Sequence, residues 1–396
     1  MSVTLVKSPM TADAERAASA RKTRADAMGN LALLERAIDE SPYDAVIAVS
    51  PENVRYAADV HIATQRSIRD RLAFVVWPKG GEPVLLVCVI EAAYAKKHSW
   101  MHDVRGYQEF EPGPVKALAE LLREMKLDAA RVALETDYLA AAYYNDLVAQ
   151  CPQLKIGAAE PVFARARMQK TPAEVTQLVA AFHATEEAFL HAFTSVKIGD
   201  TEKQIAVRLA ERMLTEGADQ VTSNYCNAGA NTGFPHMVPS AYRVQTGDLV
   251  KSDSGGMFRQ YFSNVGRTAI AGRASAKDVS VWKHLRDIHH AVIEQCRAGR
   301  TGAELFQLAK QRQEQAGLAF PYSHNGHSLG LNIHEHPIIN AHEHLPYQAG
   351  MITTVETRAR WPGELGYHME DLIEITDGAP IWHARCFRNE ELLVVG

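Results

Sequence analysis

Acidic residues and histidines of the kinds that hold divalent metal ions recur along the second half of the chain. Asp253 and Asn264 stand in KSDSGGMFRQYFSNVGRT, His327 and His334 in GHSLGLNIHEHP, and Glu356 and Glu370 in VETRARWPGELGYHMED. Carboxylate oxygens and imidazole nitrogens together suit manganese, cobalt, iron or zinc, and such an ion activates water at neutral pH. Taken singly, each carboxylate is more often a solvated strand residue and each histidine an ordinary polar one. Their setting argues for more. Glu356 ends the apolar run MITTVE, and a buried carboxylate is costly unless it is paired or bound to a cation. His327 and His334 share a segment punctuated by Gly326, Gly330 and Pro337, which favours a shaped loop or an irregular strand.

Two hairpins would bring these residues side by side. If LVKSD and YFSNV pair antiparallel about a turn between Phe258 and Arg259, Asp253 lies opposite Asn264. Pairing MITTVE with HMEDLIEIT about Pro362-Gly363 sets Glu356 opposite Glu370. Opposite residues stand roughly 4.5–5.5 Å apart at Cβ, near enough to share one cation. Arg358 and Arg360 share the face of Glu356 by strand alternation; they either grip a carboxylate with a fork of donors or are surface charges. His324, three residues before His327, is a pocket candidate or a structural histidine.

At 396 residues the chain suits two domains. Apolar content of 46% with 22% charged residues excludes a disordered chain, and a net charge of −5 gives no footprint for nucleic acid or an anionic membrane. The opening segment has no apolar core of signal-peptide length, and no stretch approaches the length of a membrane span. The five cysteines are scattered without a CxxC pair, so free thiols and a cytoplasmic location are expected. DAVIAV, LAFVVW, PVLLVCV and RVALE read as strands, alternating with the helical stretches EAAYAKK, PVKALAELLREM and TDYLAAAYYNDLVAQ. This predicts an α/β first domain over 1–164, with one long helix from the opening segment to about Asp39 laid against it. Beyond it, Thr171-Pro172-Ala173-Glu174 is a helix start. Helices around Ala276–Arg297 and Thr301–Ala316 interrupt strands and turns. An α+β second domain over 165–396 follows.

Together these motifs resemble the creatinase/prolidase/methionine aminopeptidase family, over nearly the whole chain. SPENVRYAADV is similar to that family's N-terminal domain and ARMQKTPAEVTQL to the entry of its catalytic half. Position 264 stands eleven after Asp253, GHSLGLNIHEHP matches the family's GHxxG and HExP segments, and Glu370 stands fourteen after Glu356. The resemblance implies a pita-bread catalytic domain and a homodimer. It implies Asp253, His327, Glu356 and Glu370 as metal ligands, with position 264 as a fifth. It makes His334 the group that polarises the carbonyl or meets the oxyanion, and His236 in GFPHMVPS a second catalytic histidine that also touches substrate; Glu356 is the expected proton shuttle.

Three positions depart from the family pattern. Asn264 replaces an acid that bridges two ions, and its neutral oxygen bridges two dications poorly. Thr357-Arg358 replaces Pro-Gly, and His368 stands where prolidase-like members carry arginine. The expected activity is hydrolysis of amide or related C–N bonds in a small carboxylate-bearing substrate such as a dipeptide, with one or two divalent ions. Arg358, Arg360, His368, His324 and His236 are the expected substrate contacts. Two alternatives stay open: a mononuclear or metal-independent creatinase-like hydrolase or lyase of a small non-peptide compound, and a catalytically silent binding module.

Overall fold

The computed structural model describes residues 22–111 and 113–396. The chain divides into two compact units, the first ending at Ala166 and the second spanning Arg167–Gly396. In the first unit, β1 (Ala45–Ala48), β2 (Phe74–Pro78), β3 (Val84–Cys88), β4 (Asp103–Tyr107), β5 (Arg131–Leu134) and β6 (Lys155–Ala158) form one mixed sheet in the order β4-β3-β2-β1-β5-β6. The four apolar runs of the sequence are its central strands. The edge strands β4 and β6, DVRGY and KIGA, carry no long apolar run, which is why patterning does not reveal them. Ile47, Phe74, Leu86 and Leu134 pack with Leu118, Leu122 and Leu147 of two covering helices.

The single opening helix is not what forms. Residues 1–21 lie outside the described residues. After them come one 3₁₀ turn, Arg24–Asp26, and a separate helix α1 (Leu31–Glu40). Met28-Gly29-Asn30 separates the two, and the Asn30 side chain accepts from the backbone N–H of Leu33 to start α1 afresh. Similarly, the helix expected from Thr136 begins at Ala141, because Thr136–Leu139 turn back on Leu134 and Glu135.

The second unit opens with α2 (Pro172–Thr194), started by a reciprocal cap: Thr171 Oγ1 accepts from Glu174 N and Glu174 Oε2 accepts from Thr171 N. Helix α3 (Glu202–Thr215) follows, then α4 (Ala276–Ile293) and α5 (Gly302–Gln315). They cover a sheet whose main path is β13-β14-β10-β8-β7, with β7 (Gln220–Ala228), β8 (Leu249–Phe258), β10 (Val265–Ala271), β13 (Ile352–Trp361) and β14 (Leu365–Glu374). β9 (Tyr261–Phe262) pairs antiparallel with the end of β8, and β11 (His324–Ser328) pairs with β12 (Glu335–Asn340). β8 and β10 are buried along their whole length, so polar residues on them sit in the interior. The fold is the expected α/β domain followed by an α+β domain.

One hairpin register is as predicted and the other is not. Glu356 pairs with Glu370, Arg358 with His368 and Arg360 with Gly366, all on one face. On the other hairpin Asp253 pairs with Gly266, not with Asn264. The turn is one residue later, at Arg259-Gln260, both with positive φ (51° and 70°). That geometry is the two-residue hairpin turn usually signalled by Asn-Gly, and Arg-Gln carries no such signal. Because strand faces alternate with period two, the slip leaves Asp253 and Asn264 on the same face.

Candidate active site

The β13–β14 ladder supplies the floor of the site. Glu356 and Glu370 face each other across it, and both are buried. Above them comes His327, carried by β11. Gly326 makes that approach possible: it adopts φ 144°, and a Cβ there would stand 2.1 Å from the Thr354 carbonyl oxygen of β13. His327 Nδ1 lies 3.0 Å from the Ser328 carbonyl oxygen. A carbonyl only accepts, so Nδ1 carries the hydrogen and Nε2 keeps its lone pair. That nitrogen points at Glu356 Oε1 (3.6 Å) and Glu370 Oε1 (3.5 Å). The three side chains bring ligand atoms within 4.8 Å of one another.

Asn264 and Asp253 approach from the neighbouring hairpin. Gly255 lets the Ser263 backbone close in, since a Cβ there would fall 1.9 Å from the Ser263 oxygen, and Asn264 follows directly. Its Nδ2 donates to both oxygens of Glu370, at 2.8 and 2.9 Å. Asp253 stands apart from the three-residue cluster, with Oδ2 3.5 Å from His368 Nδ1 and 3.9 Å from His236 Nε2. His368 is wholly buried among the carboxylates, with Nε2 3.7 Å from Glu356 Oε2 and 3.8 Å from Glu370 Oε2. Neither of its ring nitrogens has a hydrogen-bond partner.

Both arginines are in the site, with different occupations. Arg358 forms an ion pair with Glu356, donates to the His324 carbonyl oxygen at 2.7 Å, and lies over the Tyr322 ring, 4.7 Å from its centroid. Arg360 lines the cavity, and its buried Nε has no partner. Opposite it stands Gly366, which leaves room for the stem. The cavity holds about 350 Å³, and His236, Asp253, Asn264, His324, His327, His334, Glu356, Arg358 and Arg360 line it. Glu370 and His368 lie deeper. Tyr225, Thr222 and Ser223 of β7, Phe262 and Ile333 complete the wall; the sequence reading overlooks these, although Tyr225 in the polar strand QVTSNYCNA was a visible signal.

His334 reaches the cavity from the turn before β12, its ring 4.1 Å from that of His327 and 5.5 Å from that of His324. Glu335 next to it anchors the turn: buried, it pairs with Arg167 and with Lys170 (2.7 Å) and accepts from Asn332 N (3.0 Å). His236 is exposed, its ring 4.9 Å from that of Tyr225. The loop before it is held by Lys251, a fully buried cation whose Nζ donates to the Phe234 carbonyl oxygen at 2.7 Å. Behind the sheet, Arg267 joins Glu186 of α2 to Asp371 and donates to the Glu370 carbonyl oxygen (2.7 Å). His289 of α4 bridges Asp371 (2.8 Å) and Thr357 (3.0 Å), the residues that follow the two floor glutamates.

Burial governs the protonation of these groups. It pushes the Glu370 carboxyl up to about 8, with the Asp253 charge adding to the effect and the Thr354 hydroxyl, Arg358 and Asn264 opposing it. Asp253 is also raised by burial, against the pull of Lys251, Arg360 and Arg358. Burial holds the His327 imidazole well below its ordinary value, and brings His324 down to about 4. Neutral imidazole and deprotonated carboxylate are the forms that bind a cation. Lys251 falls to about 8 and Arg358 to about 10, burial being the main cause in each. The donor set of His327, Glu356 and Glu370 therefore fits one divalent ion. A cation there would restore the ionised form of Glu370 that burial opposes.

Comparison with known proteins agrees. The sequence profile of metallopeptidase family M24 matches residues 176–377, just over half of the chain, and that of the creatinase/prolidase N-terminal domain matches residues 31–169. A Xaa-Pro dipeptidase of Lactobacillus helveticus is 28% identical over 355 residues, covering 88% of this chain and 94% of that protein. The crystal structure of a dipeptidase, PepE, from Mycobacterium ulcerans superposes with a TM-score of 0.81 at 27% identity, covering 92% of this chain and 97% of its own. The prolidase of Pyrococcus horikoshii, at 22% identity, shares the fold with a TM-score of 0.81 over 92% of this chain and 99% of its own. The profile match over more than half of the chain, together with a buried His–Glu–Glu cluster on the floor of a cavity, gives the conclusion: the chain belongs to metallopeptidase family M24, whose members are hydrolases.

Proposed function

We propose that this hydrolase cleaves an amide bond in a small carboxylate-bearing substrate, with dipeptides the first class to test. The observation that carries this reading is the convergence of His327, Glu356 and Glu370 beneath a cavity of about 350 Å³. His327, Glu356 and Glu370 would hold a divalent ion, manganese, cobalt, iron or zinc, with Asp253 adding charge beside it. Bound there, such an ion supplies Lewis-acid polarisation of the carbonyl and a lowered water pKa.

The chain's own residues do the rest. Glu356, on the cavity wall, accepts the proton of the attacking water and passes it to the leaving nitrogen. His334 faces the cavity beside His327 and donates an N–H to the developing oxyanion. His236, at the mouth, contacts the leaving group. Arg360 takes the substrate carboxylate, because its guanidinium has no acidic partner among the described residues, whereas Arg358 is spent on Glu356. Five unpaired thiols, four of them buried, support a reducing, cytoplasmic setting. No helix among the described residues is long and apolar enough to cross a membrane.

A second reading, hydrolysis of a small non-peptide C–N compound, is favoured by the Arg358–Glu356 ion pair and the Asn264–Glu370 contact. The test is a panel of dipeptides, Xaa-Pro members included, assayed for released amino acid with added manganese or cobalt and again after chelation. Chelator-sensitive release supports the peptide reading. Absence of release across the panel, from protein shown to be folded and metal-loaded, sinks it in favour of the second.

A further inference from the structure

The donor set fits one ion; it does not fit two. We propose that the site takes a single divalent ion because Arg358 and Asn264 fill, with the chain's own donors, the place a second would need. This rests on the metal-dependent reading above. Two ions in one site must share carboxylates, each bridging carboxylate offering one oxygen to each ion. Neither floor glutamate is free to do so. Asn264 Nδ2 donates to both oxygens of Glu370 (2.8 and 2.9 Å). With Glu370 ionised, as a bound cation requires, an amide oxygen turned towards it would meet only acceptors, so Asn264 stands there as a donor. Asn264 therefore steadies Glu370 in place of serving as the ligand the sequence suggested.

Glu356 is divided in a matching way. Its Oε1 faces His327 Nε2, and its Oε2 is engaged by the Arg358 guanidinium. Arg358 is not a mobile side chain that an arriving ion displaces. It is buried, bonded to the His324 carbonyl oxygen and laid over Tyr322. The guanidinium thus stands as a fixed cation beside Glu356 Oε2, the oxygen that a second dication would need.

Charge points the same way. In the fully ionised form that metal binding requires, Asp253, Glu356 and Glu370 are matched by the cationic side chains Lys251, Arg358 and Arg360, all on the same two hairpins. One ion gives the site an excess of positive charge that water or an anionic substrate can meet. Two would double that excess in a buried setting, next to arginines that do not give up their protons.

The experiment is a titration of metal-free, full-length protein with Mn²⁺, read by equilibrium dialysis and by electron paramagnetic resonance. The wild type should saturate at roughly one ion per chain, with the six-line pattern of an isolated Mn²⁺. N264D/R358Q, which restores an acid and removes the fixed cation, should take up roughly two, with the broadened signal of a coupled pair. N264D alone, an isosteric change, should gain a second, weaker ion and serves if the double variant does not fold. Two ions of comparable affinity in the wild type would overturn the inference and leave the metal-dependent reading intact. A single ion in folded N264D/R358Q would do the same. No ion in the wild type at millimolar Mn²⁺ would overturn both.

Discussion

Replacing Glu335 by glutamine tests how the turn that carries His334 is held. Glu335 is buried, pairs with Arg167 and Lys170, and accepts from Asn332 N. Burial alone would raise its carboxyl, but the two cations and the hydrogen bonds from Lys170 and Asn332 outweigh it and bring the group from 4.5 to about 2. That shift converts to about 3 kcal/mol at neutral pH. The folded value is depressed, so the stabilisation is present above the unfolded value of 4.5 and is lost as pH falls towards about 2. Glu335→Gln also leaves Arg167 and Lys170 without this carboxylate, so the expected loss at pH 7 is about 3–5 kcal/mol. Urea unfolding of wild type and variant, followed by circular dichroism at pH 7 and pH 3, gives the numbers. At pH 3 the gap should narrow by about 2 kcal/mol, because Glu335 then contributes less to the wild type. A variant within about 1 kcal/mol of wild type at pH 7, or a gap that does not change with pH, would refute the reasoning.

Two further perturbations probe the substrate end and the back of the sheet. Arg360→Met should raise KM about 10–100-fold for carboxylate-bearing substrates and leave kcat within a few-fold, since it removes a charge-assisted hydrogen bond; steady-state kinetics with free and C-terminally amidated substrates separates this from general damage. Glu186→Gln should cost about 2–4 kcal/mol, because Glu186 is fully buried, pairs with Arg267 and accepts from the backbone N–H groups of Arg385, Cys386 and Phe387. Limited proteolysis should then cut near residue 386 faster than in wild type, and an unchanged cleavage rate would count against the clamp.

How much of the site was legible depended on local signals. Glu356 and Glu370 were correctly paired from the letters alone because Pro362-Gly363 marks the turn and ten consecutive pairs leave no freedom in register. The Asp253–Asn264 pairing failed because Arg259-Gln260 adopts a glycine-like turn without a glycine-like sequence. The central strands of the first unit declare themselves by apolar runs, and its edge strands, half exposed and polar, do not. The buried Arg267–Glu186–Asp371–His289 network was invisible, because its members come from α2, β10, β14 and α4 and have no common spacing.

The sequence by itself determined the family and the two-domain fold class and singled out the candidate ligand types, because motif spacing and strand alternation are properties of the chain read locally. Tertiary structure alone decided what each charged group touches. It gave Glu356 to Arg358, turned Asn264 into a donor to Glu370, left Arg360 facing the cavity and set His368 among three carboxylates without a hydrogen bond. The physical reason is range. Period-two geometry fixes the face on which a side chain lies, whereas its partner is fixed by distances of a few ångströms to residues brought in from strands and turns far along the chain.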